Sequence, residues 1–238
     1  MDSLTADELR SRLSFDYQTV MLMSCPLMEV EAYRNLDDLK AQRNKITSPE
    51  EGHFAVHYRV KYNIKTLVGP GRYSNSTTVR FDLFADNNYP QSEPPCFVID
   101  SQTPWSPHFY PEYAVCTGEL WTEADGNILL GELMVHVAKL INFDEPISNY
   151  VESGYQPEAT KYWMNELGLK PIAKLVYPQL PHRVPPAPAE TIAPATHASA
   201  FVKKQIIGSS PAESAPAIAV RPAAPDAIEP TRIRFRQS

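Results

Sequence analysis

Thr103-Pro104-Trp105-Ser106-Pro107-His108-Phe109-Tyr110-Pro111-Glu112-Tyr113-Ala114-Val115-Cys116-Thr117-Gly118-Glu119-Leu120-Trp121 divides this chain into two kinds of sequence. It is too rich in proline and aromatics to be a helix, because proline removes a backbone donor and clashes with the preceding turn. Before it, Pro95 to Asp100 reads as a strand. After it, Ile128 to Ile141 has the apolar pattern of a long helix. A loop held between rigid elements is where chemistry concentrates. Cys116, in the middle of this loop and flanked by small residues, is therefore the candidate nucleophile.

Working back toward the N-terminus, the pattern is that of strands in sequence. Cys96 to Ile99 predicts a short buried strand with Cys96 as a small core residue. Tyr89-Pro90 and Pro94-Pro95 bracket an extended segment, since proline and the residue before it avoid helical angles. Asp86 to Asn88 is a turn, and Val79, Phe81, Leu83 and Ala85 alternate as a strand. Gly69 to Arg72 and Ser74 to Ser76 read as a long hairpin connection. The clearest alternation runs from His53 to Lys65, with Phe54, Val56, Tyr58, Val60, Tyr62 and Ile64 on one face. On that reading His53 and His57 belong to a solvated face rather than to a metal site. Ser48 to Gly52 is a turn, Asn35 to Lys45 is polar and helix-compatible, and Leu27 to Tyr33 is a strand. Thr5-Ala6-Asp7-Glu8 is a capping box, and Leu9, Leu13, Tyr17, Val20 and Met21 give the period of a helix from Ala6 to Met23.

Toward the C-terminus, Asp125 to Asn127 starts the apolar helix, whose polar stripe is Glu132, His136 and Lys139. His136 is read as surface. Phe143 to Pro146 ends this helix, a further helix spans about Pro157 to Leu167, and Leu169 to Tyr177 forms a short helix or strand. The sum is an α+β fold: an N-terminal helix, a four-stranded antiparallel meander sheet, the cysteine loop and C-terminal helices. Residues 1–180 are expected to be one domain. Residues 185–238 hold nine prolines and thirteen alanines, too little apolar surface to offset ordering entropy, so 181–238 is expected to be a disordered tail. Its two apolar islands, Phe201 to Ile207 and Thr231 to Arg236, could each dock as an added strand or have no specific target.

Three cysteines (Cys25, Cys96, Cys116) cannot all pair within one chain, and none has zinc spacing. Reduced thiols in a cytoplasmic compartment, no metal and no cofactor are expected. The acidic N-terminus has no signal-peptide pattern, and no run approaches the ~20 apolar residues of a membrane span. The net charge of −6, with +2 on residues 185–238 and −8 on the rest, argues against nucleic acid as partner.

Three segments now resemble the ubiquitin-conjugating enzyme superfamily. Tyr89-Pro90-Gln91-Ser92-Glu93-Pro94-Pro95 is similar to its Tyr-Pro-x-x-x-Pro-Pro signature. His108-Phe109-Tyr110-Pro111 followed by Val115-Cys116 resembles its His-Pro segment running to the active cysteine. Gly126 to Asp144, followed by Glu145-Pro146, resembles its long helix and acidic end. The likeness covers about residues 5–165. The chain departs from the family in the separation of His108 from Pro111, in Glu112 standing where the family has asparagine, in the short connection to Cys116, and in the polar insert 35–52. These departures resemble divergent bacterial members found beside ubiquitin-like proteins and activating enzymes in antiphage defence operons.

The resemblance implies a transferase that accepts a ubiquitin-like protein as a thioester on Cys116 and passes it to an amine on a target. Thiol exchange from an activated donor needs an accessible thiol but no adjacent histidine base. Transfer to the amine needs an oxyanion stabiliser and an acid. Backbone amides around Cys116, Tyr113 or His108 are the candidates for the first, and Asp144 and Glu145 for the second. The partners implied are the ubiquitin-like protein, a target protein and an activating enzyme docked on the N-terminal helix, through Arg10, Arg12, Asp16 and Gln18. Trp105, Tyr110, Tyr113 and Trp121 read as loop packing, with a platform for the donor's tail as the alternative. Two other readings stand beside this one. The chain could be a catalytically inactive ubiquitin-conjugating-variant or RWD-type binding module, or a cysteine hydrolase pairing Cys116 with His108 or His136.

Overall fold

The computed structural model describes residues 4–84, 89–118, 120–123, 128–144 and 156–181. The chain divides into two units, Met1–Pro185 and Pro186–Ser238. The second unit, with both apolar islands, lies outside the described residues, as do the turn at 86–88, the helix start at 125–127 and Glu145.

Helix α1 spans Ala6–Met23 as its sequence predicts. The Thr5 hydroxyl accepts from the Glu8 amide while the Glu8 carboxylate accepts from the Thr5 amide, closing the capping box. Two short helices follow it in the chain, α2 (Leu36–Ala41) and α3 (Leu120–Glu123). Leu13, Tyr17, Val20 and Met23 are buried against the sheet and helix α4, which spans Leu130–Asn142. The two helices approach closely at Gly131, where a Cβ would stand 2.6 Å from the Met23 sulfur. Side chains of this size each contribute roughly 1.5–3 kcal/mol when buried.

Four strands form the main sheet: β1 (Met28–Tyr33), β2 (His57–Tyr62), β5 (Thr77–Asp82) and β6 (Cys96–Val98), in that order and all antiparallel. Between β2 and β5, strands β3 (Thr66–Gly69) and β4 (Arg72–Ser74) make a separate small hairpin inside the long connection. The register aligns Val30, Val60, Val79 and Val98 in one row across the sheet, and Ala32, Tyr58, Phe81 and Cys96 in the next. Both rows are buried under α1 and α4. This places Cys96 in the core, as expected from sequence. The expected meander and its helix-covered face are both present.

Three sequence expectations need correction. The strand read from His53 to Lys65 is shorter. Pro49–Phe54 is a 3-10 helix, leaving Phe54 exposed and Ala55 buried. The glutamates and glycine of 49–52 close a tight turn against Tyr17, and Gly52 fits there because a Cβ would meet its ring at 2.6 Å. His53 therefore shares no strand face with His57, whose Nδ1 pairs with Asp82 at 2.8 Å. The segment Leu169 to Tyr177 is neither helix nor strand. Asn142, fully buried, holds it instead. Its side chain accepts from the Ala173 amide at 3.0 Å and donates to the Ala173 carbonyl at 2.8 Å, and its carbonyl accepts from the Ile172 amide at 3.1 Å.

Arg12 and Asp16, expected on the exposed side of α1, are the third correction. Asp16 has no exposed surface. Its carboxylate accepts from Arg12 Nε at 2.6 Å, from the Tyr89 hydroxyl and from the Leu130 amide at 3.3 Å. Arg12 reaches on to the Ile128 carbonyl. The first amides of a helix lack intrahelical acceptors, and here a carboxylate from α1 satisfies one at the start of α4. Glu132 satisfies another, at Leu129. The exposed stripe of α1 is instead Ser11, Phe15, Gln18 and Leu22, with Arg10 beside it.

Candidate active site

The loop quoted above folds back on itself. Phe109 and Val115 form an antiparallel bridge, the Cys116 amide donates to the His108 carbonyl at 2.8 Å, and the Tyr110 amide donates to the Ala114 carbonyl at 2.9 Å. The result is a tight hairpin from His108 to Cys116, turned at Pro111 and Glu112. Tyr113 takes a left-handed φ of 76° at its tip, and its amide closes the turn onto the Tyr110 carbonyl. The hairpin also continues the sheet. The Val98 amide donates to the Tyr113 carbonyl at 2.7 Å and the Val115 amide to the Cys96 carbonyl at 3.0 Å. The short connection between Pro111 and Cys116 is what this geometry requires.

Gln156, just before helix α5 (Pro157–Asn165), ties the other side of the hairpin. Its side-chain amide donates to the Phe109 carbonyl at 2.7 Å and the Pro104 carbonyl at 3.1 Å. Trp163 on α5 donates to the Trp105 carbonyl at 2.9 Å and stacks on Phe143 with ring centroids 4.1 Å apart. No spacing in the sequence marks Gln156, because its partners are backbone carbonyls about fifty residues away.

Cys116 ends this hairpin half-buried, with part of its surface open to solvent. Cys96 is sealed in the core, and burial, with Glu93 and Asp82 adding negative charge nearby, pushes its thiol well above the usual range. A buried thiol of raised pKa is inert, and an accessible one can react.

The side chain of His108 is buried beneath the hairpin, its ring 6.5 Å from that of Phe143. Burial first, and His136 second, hold it down at about 4, so it is neutral near pH 7. Its Nε2 has no hydrogen-bond partner among the described residues. His108 acts on Cys116 through its backbone carbonyl. His136, expected at the surface, is half-buried and turned toward this loop. Its Nε2 lies 3.1 Å from the Thr117 carbonyl oxygen, so the ring N–H donates there. On the other side of Thr117 the hydroxyl donates to Glu93 Oε1. Glu93 lies inside the Tyr89 to Pro95 signature, where sequence reading gave it no role. Burial pushes its carboxyl up, and the Thr117 hydroxyl pulls it back.

No family model matches the sequence, and no curated protein matches it. Solved structures do. One titled "Novel Ubiquitin-Conjugating Enzyme" superposes with a TM-score of 0.42 at 12% identity, over 67% of this chain and 87% of that one. One titled "S. cerevisiae Ubc12" superposes with a TM-score of 0.43 at 16% identity, over 68% of this chain and 74% of that one.

The remaining predicted site residues are spread around the loop. Tyr113 is exposed at the hairpin tip. Asp144 follows α4, its amide bonded to the Lys139 carbonyl at 2.9 Å, next to Phe143, whose ring faces His108. Among the aromatics, Trp121 packs in the core beside Tyr89 and donates to the Pro90 carbonyl at 3.1 Å. Trp105 packs on Tyr162, with ring centroids 5.2 Å apart. Both are packing residues, which leaves half-buried Tyr110 and exposed Tyr113 at the loop's outer rim. The backbone amides expected to stabilise an oxyanion are partly committed, because those of Cys116 and Tyr113 already donate within the hairpin.

Proposed function

We propose that this chain accepts a ubiquitin-like protein as a thioester on Cys116 and passes it to an amine on a target protein. The observation that carries this reading is the hairpin that holds Cys116 partly accessible at the edge of the sheet while Cys96 is sealed within it. In the first step the Cys116 thiolate attacks the donor thioester carbonyl, and the activating enzyme's thiolate leaves. In the second, the target amine attacks, the Cys116 thiolate leaves, and the amine's proton passes to an acceptor, for which Asp144 and Glu145 are the candidates. His108, neutral and buried, orients the thiol's backbone and takes no proton. Tyr113 supplies a hydroxyl at the exposed rim. The exposed stripe of α1, with Phe15 and Leu22, is the docking face for the activating enzyme. The catalytic unit is residues 1–180, with 181–238 as a tail. Three unpaired thiols favour a reducing cytoplasmic setting, and an antiphage defence operon is the proposed genetic setting. Among the described residues no helix is long and apolar enough to cross a membrane.

The test combines the protein with a candidate ubiquitin-like protein, its activating enzyme and ATP, and reads the product by gel with and without reductant. The reading expects a reductant-sensitive adduct, lost or converted to a reductant-resistant oxyester in Cys116→Ser and retained in Cys96→Ser. Absence of any adduct with the cognate partners overturns it in favour of an inactive binding module.

A further inference from the structure

We propose that Glu93 is a positioning residue for Cys116, acting through the Thr117 hydroxyl. The proposal rests on the reading of Cys116 as the thioester-bearing thiol. The position of Cys116 is inherited from the backbone on each side. On its N-terminal side the Val115 amide is fixed to the Cys96 carbonyl and the Cys116 amide to the His108 carbonyl. On its C-terminal side the chain leaves the sheet, and Gly118 turns it through a left-handed φ of 71°. Thr117 is the one residue between the thiol and that turn. It is held from two directions, its carbonyl by His136 and its hydroxyl by Glu93.

Glu93 is suited to this task. Pro90, Pro94 and Pro95 stiffen the backbone that presents it, and residue 93 is itself restricted by the proline that follows. Its carboxyl is half-buried, a placement that is costly unless a partner compensates. The partner is the hydroxyl of the residue after the thiol. A loop staple needed only for stability could be apolar. An acid fixed to the side chain next to a reacting group sets direction as well as position, and sub-ångström placement matters for attack on a carbonyl. His136 restrains only the backbone of Thr117, and the bond to Glu93 restrains its side chain.

The test is carried out on the full chain, with iodoacetamide alkylation followed residue by residue by peptide mass analysis, and with transfer to a free amine measured where a thioester forms. Glu93→Ala and Thr117→Val loosen the chain after the thiol. Cys116 alkylation is then expected to rise about two- to fivefold, because accessibility limits it. Amine transfer is expected to fall about tenfold, because a held geometry limits it. The double variant should do no more than either single one, since both cut the same bond. Glu93→Gln, which keeps an acceptor, and Thr117→Ser, which keeps the hydroxyl, should restore wild-type behaviour. Cys96 should stay protected throughout. If Glu93→Ala exposes Cys96, the near-isosteric Thr117→Val carries the test.

Unchanged alkylation in Glu93→Ala and Thr117→Val overturns the proposal. Equal acceleration in Glu93→Gln and Glu93→Ala also overturns it, by making charge the cause. Additive single effects overturn it as well. Alkylation needs no partner protein, so a wild-type chain that never forms a thioester sinks the transfer reading and leaves the alkylation arm to decide the role of Glu93.

Discussion

Two acids anchor the Tyr89 to Pro95 segment, Asp16 fully buried and Glu93 half-buried, and they differ in kind. Asp16 reaches it from α1, and its carboxylate is met by a guanidinium, a phenol and a backbone amide. Glu93 reaches out from it to one hydroxyl beside Cys116. The Asp16 cluster joins α1, α4 and the segment into one rigid body, and every one of its partners is also held by the fold. The Glu93 contact joins the segment to the residue that follows the thiol. Burial alone does not separate a structural acid from a functional one. The number of partners, and what those partners adjoin, separates them here.

Four measurements test that contrast. The largest effect is expected at the fully satisfied acid. Removing one member of a buried pair leaves a charge uncompensated, so Asp16→Ala should lower the unfolding free energy by about 3–5 kcal/mol in chemical denaturation. A cost near that of a surface substitution would break the contrast.

The next effect is a pH dependence. The folded-state value of His108, about 4, lies below its unfolded value of 6.5. Between these values the unfolded chain binds more protons, so acidification destabilises the fold through this window. The contribution is fully present above about pH 6.5 and lost below about 4, and amounts to about 3 kcal/mol. Asp16 and Glu93, held above their ordinary values by burial, pull the opposite way. His108→Gln should therefore flatten the loss of stability from pH 6.5 to 4 relative to wild type. Parallel curves for the two proteins would show that the ring is not buried neutral.

Tyr89→Phe removes one of the three donors to Asp16 while keeping the ring against Trp121, and should cost about 1–2 kcal/mol. The smallest stability effect is expected at Glu93→Ala, about 1 kcal/mol or less, because removing a poorly solvated acid returns part of the cost of the lost bond. A loss at Glu93 as large as that at Asp16 would make both acids structural.

Much of the fold was legible in the chain. Local rules act over a few residues, and they specified the capping box of α1, the alternation of β2 and β5, the inward Cys96 and the apolar α4. They overreached where a turn cost nothing in pattern. His53 and Phe54 continue the alternation of the strand but belong to the 3-10 turn whose Gly52 packs on Tyr17, and Leu169 to Tyr177 keeps apolar spacing but is strapped to Asn142. The candidate site was half legible. Cys116 stood out as an unpaired thiol in a proline-rich loop, and His108 lay at a motif position. Glu93, Gln156 and the inward turn of His136 left no signal, since each meets its partner across long stretches of chain.

The sequence by itself determined which residues could react and which segments could be helix or strand, because thiol chemistry and backbone preference are local. Only the tertiary structure decided that the shortened loop closes as a hairpin on the edge of β6. It alone decided that Arg12 and Asp16 point inward, and that Thr117 is held from two sides. Those outcomes depend on which groups must find hydrogen-bond partners once buried, and that demand exists only after distant segments have packed together.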